Sequence, residues 1–448
     1  MIAALLIVLI SAGCKKLVEV GTPQNLLTTD KVFSDTTSAT AALGNIYAQL
    51  ERTVEVNYSK YMDMYTDDLN FTSTSTTTLE FLHSTVSVSN STDLNIWKNL
   101  YIVIYECNDL IEELKITGNV NASSVNILSN EARFIRAYAY FYLVNLYGRV
   151  PLILTTDVNA NAKAVQTDPS IVYQQIITDL KTASNSLSAA YIPSGKVRAN
   201  KWAAEALLAR VYLYQQNWTA AEATSTEIIN SGLYTLSPAL NSVFLAGSSE
   251  AILQVWNQNG YVTDAVSLVP SSNTSLPTYP ITSSLYAAFE SGDLRKSYWI
   301  GNSIVSNGGS YYYLNKYKNR VLNTTSPEYL MVFRIAEQYL IRAEARAEQG
   351  KITGTGGAAE DLNVIRNRAG LLNTAASTQN LMLAAIMQER RVELFGEWGN
   401  RFLDLKRSGQ LNTVIGAYKT TWQTKANLLP VPLNELTYDP NLLQNTGY

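Results

Sequence analysis

Histidine is nearly missing from this chain: 448 residues contain one, His83. Zinc sites built on several imidazoles are thereby excluded, and Ser-His-Asp chemistry would hang on a single residue in a Ser/Thr-rich loop. Cysteine is as scarce. Cys14 and Cys107 are too few for a disulfide framework. An excess of basic charge is lacking too, since 34 Lys and Arg face 37 Asp and Glu for a formal net charge of −3. Nothing is left over to neutralise phosphates, so nucleic-acid binding is not expected. No Walker loop, Rossmann glycine fingerprint or Cys/His metal spacing occurs, and no cofactor or metal is expected. No apolar run reaches the ~20 residues that a membrane-spanning helix requires.

What the chain does have is core-forming material and tyrosine. Hydrophobic residues make up 46% against 16% charged, which excludes wholesale disorder. The length allows two or three domains, or one large helical unit. Tyrosine dominates the aromatics, with 28 Tyr against 10 Phe and 7 Trp. A ring with an apolar face and a polar tip suits both helix–helix contacts and wet recognition surfaces.

The N-terminus reads as an address. Residues 2–10 form an apolar run of signal-peptide length, and Ser11-Ala12-Gly13-Cys14 follows. Small residues before a cysteine are similar to the bacterial lipobox, which makes Cys14 the expected lipidation site and 1–13 the removed signal peptide. Ser11 stands where that motif prefers Leu, and no Lys or Arg precedes the apolar run. A plain secretory signal with an incidental cysteine is the alternative. Lys15 and Lys16 would then lie at the membrane face.

Helical periodicity governs much of the remainder. Ile135, Tyr138, Ala139, Tyr142, Leu143 and Leu146 recur on one face of a helix that Gly148 ends and Pro151 prevents from continuing. Trp97–Leu114 predicts another helix, with Cys107 as a small buried hydrophobe. Ala39–Leu50 predicts a third, behind cap candidates Thr36 and Thr37. Residues 200–229 are similar to a tetratricopeptide hairpin, with small residues at Ala209 and Ala221 and a turn at Asn217-Trp218. A second hairpin is expected over 333–371, turning through the glycine-rich 350–357. Such hairpins cannot bury their faces alone, so they must stack. Between the two, residues 231–327 turn rich in Ser, Asn, Gly, Pro and Tyr, with short strands expected at Ala251–Trp256 and Ser310–Leu314. Phe71–Thr85 reads as a second structured loop. Long loops on a rigid scaffold are where binding usually sits.

Paired carboxylates are the one catalytic kit the chain could supply. Asp67-Asp68 are adjacent and diverge on any regular element, so a structural role and a ligand contact both stay open. Glu389 and Glu393 adjoin Arg390 and Arg391, which suggests ion pairs. No enzyme is expected. The aromatics are more informative. A sugar ring presents an apolar C–H face and a rim of hydroxyls, recognised by aromatic stacking with polar side chains at the rim. Trp256, Tyr279, Trp299, Tyr311 and Tyr313 are candidate stacking residues, and strand alternation puts Tyr311 and Tyr313 on one face with Tyr312 on the other. Core packing is the competing reading for each.

The order of the motifs resembles a family. Cys14 is followed by Leu17-Val18-Glu19-Val20. Trp97…Tyr101…Asn108, Glu131–Tyr138, Leu146-Tyr147-Gly148 and Val150-Pro151-Leu152 come next. Then follow Ala204–Tyr214, Glu337–Gly350, Leu362–Gly370, Glu389–Leu394, Arg401–Arg407 and Leu429–Pro432 before Asn445. In this order they resemble the SusD/RagB-type outer-membrane lipoproteins of Bacteroidota. The resemblance implies a mainly α, tetratricopeptide-like scaffold with an irregular ligand face containing short strands, and no catalysis. It implies one unit over 14–448: a helical part at about 30–230, a ligand-facing insert at about 231–327, a helical part at about 328–410 and a tail over 411–448. It also implies oligosaccharide capture at the cell exterior, a lipid anchor in the outer membrane, and a TonB-dependent SusC-like β-barrel as partner. Regionally it adds Asp67, Asp68 and Asn70, with the loop through Leu82, to the aromatics as ligand contacts. A tetratricopeptide-type scaffold for protein contact or peptide cargo is the alternative, and a glycoside hydrolase a third.

Overall fold

The structure, a computed structural model, describes residues 32–192 and 195–448. The signal run, Cys14, Lys15 and Lys16 lie outside the described residues. The chain is mainly helical. Helix α1 (Thr36–Gln49) is capped by Asp35, whose carboxylate accepts the Ser38 N–H at 2.8 Å. The cap thus falls one residue before the expected threonines, because a carboxylate is the stronger acceptor at this position. After a π turn and a short 3₁₀ turn come α2 (Ser59–Tyr65) and α3 (Thr76–Leu82). The second of these corrects the reading of 71–85 as all loop.

Two 26-residue helices follow, α4 (Ser91–Ile116) and α5 (Ala122–Tyr147), capped by Asn90 and Asn121. Helix α5 is buried on nearly every side from Leu128 onward, and Gly148 ends it at φ 74°. Cys107 is fully buried, and burial pushes its thiol well up. Helices α6 (Pro169–Ser186), α7 (Lys201–Tyr214) and α8 (Trp218–Asn230) extend the stack. Ala209 and Ala221 are completely buried where α7 and α8 approach each other.

The second hairpin starts later than expected. Phe333 belongs to strand β4 (Leu330–Arg334), which pairs antiparallel with β1 (Ala251–Val255), so α11 begins at Ile335 and runs to Glu348. Helices α12 (Ala358–Arg368), α13 (Gln379–Leu394), α14 (Asn400–Arg407) and α15 (Leu411–Tyr418) complete this half. Between β1 and β4 lie a single helical turn at Ala265–Leu268 and two further short helices, α9 (Ser283–Ala288) and α10 (Leu294–Trp299). The hairpin of β2 (Ile300–Ile304) and β3 (Ser310–Leu314) follows them.

Three apolar clusters form: a large one among α1–α8 that also takes in the β1–β4 pair, part of α11, α14, α15 and the C-terminal tail, a smaller one beneath the irregular middle, and a third among α11–α13. Charged residues join them. Arg210 on α7 bonds Glu337 on α11 through two hydrogen bonds of 2.7 and 2.8 Å, with both side chains buried, and turns a third N–H toward the Tyr142 hydroxyl. Glu393, at the end of α13, and Glu397, three residues beyond that helix, take Arg295, Arg334, Arg368 and Lys316. The neighbours Arg390 and Arg391 are not their partners. Arg390 reaches Asp404 on α14, and Arg391 reaches Asp67 and Asp68. Among the described residues no helix is long and apolar enough to cross a membrane.

Breaking one partner of a buried pair leaves the other charge desolvated, which costs about 3–5 kcal/mol, whereas an apolar pair of similar volume is close to neutral. Glu337→Gln should therefore lower the unfolding free energy, read from urea titrations, by that order. The double replacement Arg210→Met with Glu337→Leu should recover most of the loss. Equal destabilisation of single and double variants would refute the assignment of this pair as the joint between the hairpins.

Candidate functional site

The segment after α2 is drawn into the irregular middle. Leu69 bridges Ile281, the Asn70 N–H donates to the Pro280 carbonyl at 2.8 Å, and the Thr72 N–H donates to Thr278 at 3.1 Å. Pro280 in turn bridges Tyr313, and the Ile281 N–H donates to the Tyr312 carbonyl at 2.9 Å. With the β2–β3 hairpin this makes a four-strip antiparallel surface in the order 69–72, 278–281, β3, β2.

Register decides which side chains share a face, because alternation has a period of two. Leu69, Phe71, Tyr279, Ile281, Tyr312 and Leu314 fall on one face. That face packs on the second apolar cluster. Phe71 stacks on Tyr279 at 5.4 Å, and Tyr312 on Tyr286 at 3.9 Å. The other face carries Asn70, Thr72, Thr278, Tyr311 and Tyr313. The first three are exposed and the two tyrosines half-buried.

Two glycines flatten this outer face. Gly301 is the cross-strand partner of Tyr313, and a Cβ there would lie 2.2 Å from Tyr313 Cζ. A Cβ at Gly309 would lie 2.9 Å from Tyr311 Cε2. Each tyrosine ring thus lies down across a residue with no side chain, a close approach that only glycine admits. Among the described residues neither hydroxyl is held by another protein group. Beside β2 the loop 271–276 closes one edge, with the Ile304 N–H on the Asn273 carbonyl at 2.8 Å and the buried Ser303 hydroxyl bound to Ser275.

The expected site residues therefore separate. Asn70, Tyr311 and Tyr313 come together on the outer face. Tyr279 sits on the opposite, inner face and is 8% exposed. Trp299 is 1% exposed. Its indole N–H donates to the Leu240 carbonyl at 3.0 Å, and its ring has the Lys316 ammonium 4.7 Å from its centre. A ring enclosed in this way roofs the buried ion pairs and offers no face to a ligand. Trp256 is exposed at the end of β1, off the strips that build the outer face.

Asp67 and Asp68 are likewise turned inward, at 3% and 1% exposure. Asp67 meets Arg401 at 2.8 Å and Arg391 at 2.9 Å, and accepts the Ser284 hydroxyl at 2.9 Å. Asp68 meets Arg391 at 2.9 Å. Burial pushes the Asp67 carboxyl up, but the Arg401 hydrogen bond and the Arg391 charge outweigh it and hold the group below its ordinary value. Burial dominates at Asp68 and raises it. The pair bolts the strip 69–72 to α13 and α14. Lys419 is a further anchor. Its Nζ donates to the Met64 carbonyl at 2.5 Å, the Leu82 carbonyl at 2.6 Å and Ser84 Oγ at 3.1 Å, so it clasps the C-terminal ends of α2 and α3 together. Burial pulls its pKa down to about 7.

A cleft of about 310 Å³ elsewhere is lined by Trp97, Tyr101, Tyr105, Pro151 and Leu442, but its rings hold structure. Tyr101 donates to the Pro151 carbonyl and the Trp97 indole to Glu435. Among the described residues no group of three or more His, Cys, Asp or Glu side chains is arranged to hold a metal ion.

Comparison with known proteins gives a consistent result. A family model described as starch-binding associating with outer membrane matches residues 21–213, and a SusD family model matches residues 289–448. A SusD-like protein of Formosa agariphila is 25% identical, with 81% of each chain covered. A laminarin-binding SusD-like protein of known structure superposes with a TM-score of 0.78 at 26% identity, covering 92% of this chain and 99% of the other. A SusD superfamily structure from Parabacteroides distasonis gives 0.80 at 24% identity, covering 94% and 100%, and supports the fold.

Because the folded-state value of Asp67 lies below the ordinary ~3.9 of an unfolded chain, its contribution to stability is present above that pH and disappears as the pH falls through the folded value. Protection of the Asn70 and Thr72 amides from hydrogen exchange should accordingly drop below about pH 4. Arg391→Met should produce the same loss at neutral pH, with a fall of only a few degrees in Tm. Unchanged protection in the variant would show that the strip is held by its backbone pairing alone.

Proposed function

The chain belongs to the SusD family, and on that premise we propose that it is a surface glycan-binding lipoprotein. In this reading it captures oligosaccharide and delivers it to a TonB-dependent β-barrel transporter, without chemical change to the cargo. The observation that carries the reading is the pair of tyrosine rings laid over Gly301 and Gly309 beside Asn70, Thr72 and Thr278. Flat aromatic faces take the C–H faces of sugar rings, and amide and hydroxyl side chains, which both donate and accept, suit a rim of sugar hydroxyls. The glycines and the strand pairing hold the rings in place before any ligand arrives, so little side-chain entropy is lost on binding.

An open face of two rings binds weakly, with Kd near ~10⁻⁴ to 10⁻³ M, and weak binding favours release to a transporter. Each ring supplies about 1 kcal/mol beyond the area it covers. Tyr311→Ala with Tyr313→Ala should weaken glycan binding at least tenfold in affinity electrophoresis, while Tm stays within a few degrees. Gly301→Val should do the same by expelling the Tyr313 ring. Full binding by both variants would place the site elsewhere and reopen the reading as a protein- or peptide-binding scaffold.

The anchor and the partner follow from family membership and from Cys14. Acylation of Cys14 by two or more chains gives stable membrane attachment, whereas one chain gives marginal attachment. Cys14→Ala should yield a folded protein lost from the outer-membrane fraction. The wild-type chain should leave that fraction in mild detergent together with a large β-barrel in near-equal amount, across a contact of more than ~1,200 Å². A Cys14→Ala protein still in the membrane would rule out this lipidation, and recovery alone after cross-linking would rule out the barrel.

A further inference from the structure

We propose that the glycans taken on this face are neutral ones, and that polysaccharides carrying uronate or sulfate groups are discriminated against there. The proposal rests on the glycan reading given above and narrows its substrate class.

Three stretches contain the strips and edge loop of the face: residues 69–79, 265–289 and 297–315. None contains an Asp, Glu, Lys or Arg, although 16% of the chain is charged and stretches of this combined length would ordinarily carry several such residues. Charge is plentiful on the helical side. A groove of about 520 Å³ among α6, α7 and α8 is lined by Lys181, Lys201, Glu205 and Glu227. The carboxylates that precede the first stretch, Asp67 and Asp68, are buried and paired with Arg391 and Arg401. What the outer face does present is hydroxyl and amide: Asn70, Thr72, Thr278 and the exposed run Ser271-Ser272-Asn273-Thr274.

Recognition of a carboxylate or a sulfate ester calls for guanidinium or ammonium groups, in bidentate or point-charge contact. None stands on these three stretches. An anionic polymer laid over the tyrosines would give up hydration of its charges without receiving a counter-charge from these stretches. Of the cations that touch them, Lys296 stands over the Tyr286 ring on the inner side and Arg320 donates to the Val266 carbonyl, and the net charge of −3 adds no long-range attraction. Hydroxyls lose nothing of this kind, because each can exchange water for an amide or hydroxyl partner. The same neutrality makes binding insensitive to salt, since no charged side chain stands on the three stretches to be screened.

The test uses the full chain in detergent and affinity electrophoresis through matched concentrations of neutral polysaccharides (laminarin, β-mannan, xyloglucan, arabinan) and anionic ones (polygalacturonate, alginate, κ-carrageenan). The expected result is retardation by at least one neutral polymer, at least tenfold stronger than by any anionic one. It should be unchanged between 50 and 500 mM NaCl and lost in the Tyr311→Ala, Tyr313→Ala double variant. Retardation by an anionic polymer that equals or exceeds the neutral ones, and that depends on the two tyrosines, would overturn the proposal while leaving glycan binding intact. Tyrosine-independent retardation by neutral polymers would overturn both the proposal and the assigned site. No retardation by any polymer, with Tm normal, would bring down the glycan reading and this inference with it.

Discussion

Glu393 lies with no exposed surface among the guanidinium groups of Arg295, Arg334 and Arg368, while its backbone carbonyl accepts from Arg334 and from the Lys316 ammonium. Burial alone would push this carboxyl up, yet the surrounding cations hold it well below its ordinary value. The partners come from distant parts of the chain. Arg295 stands on α10, Lys316 just after β3, Arg334 at the end of β4 and Arg368 at the end of α12. Glu250, just before β1, joins through Arg334 and Arg368. One carboxylate on α13 thus collects the irregular middle, the central strand pair and the C-terminal hairpin. Such a cluster adds little net stability over an apolar core, but it tolerates one arrangement only, because any shift leaves a desolvated charge unpaired. A loop-rich insert with few apolar residues of its own gains its fixed position this way.

The outer face inherits that position. Trp299 roofs the ion cluster, β2 starts at the next residue, and the hairpin carries both platform tyrosines. On the other side Asp67 and Asp68 attach the strip 69–72 to Arg391 and Arg401, on the same helix as Glu393 and the one after it. The two sides of the face therefore refer to a common element, α13. Charge is concentrated beneath the face and excluded from its surface. This division lets the scaffold be specific in register while the surface keeps its aromatic rings, amides and hydroxyls unburdened by charge.

This division also explains which parts were readable in sequence. Long helices were, because α5 repeats its apolar side chains every three to four residues over 26 residues and stops at a glycine. The β3 strand and the shared face of Tyr311 and Tyr313 were readable from alternation. The burial of Trp299 is not legible, because aromatic content in a Ser/Asn-rich region looks the same whether the ring points out or in. The distinction lies in Leu240, Lys316 and Arg368, none of which sequence proximity identifies. Asp67 and Asp68 were ambiguous for a like reason, since Arg391 and Arg401 stand more than 300 residues away. The role of Gly301 and Gly309 does leave a signal in the sequence. The Asn307-Gly308 pair marks a hairpin turn, and folding the chain about Asn307 sets Gly301 opposite Tyr313.

The glycines carry the argument from fold to recognition one step further. In a strand interior glycine weakens pairing and leaves a gap in side-chain packing. In this hairpin both gaps are covered by tyrosine rings, so the loss at the backbone is offset by ring contact with the strand itself. A tyrosine standing upright from a sheet presents an edge and sways about χ1. One lying across a glycine presents its face and is confined by the backbone beneath it. Facing tyrosine over bare backbone is therefore a means of building a flat, stiff, uncharged surface from a two-stranded ribbon that would be marginal alone. The ribbon needs a rigid body to stand on, and the buried ion cluster beneath Trp299 supplies it.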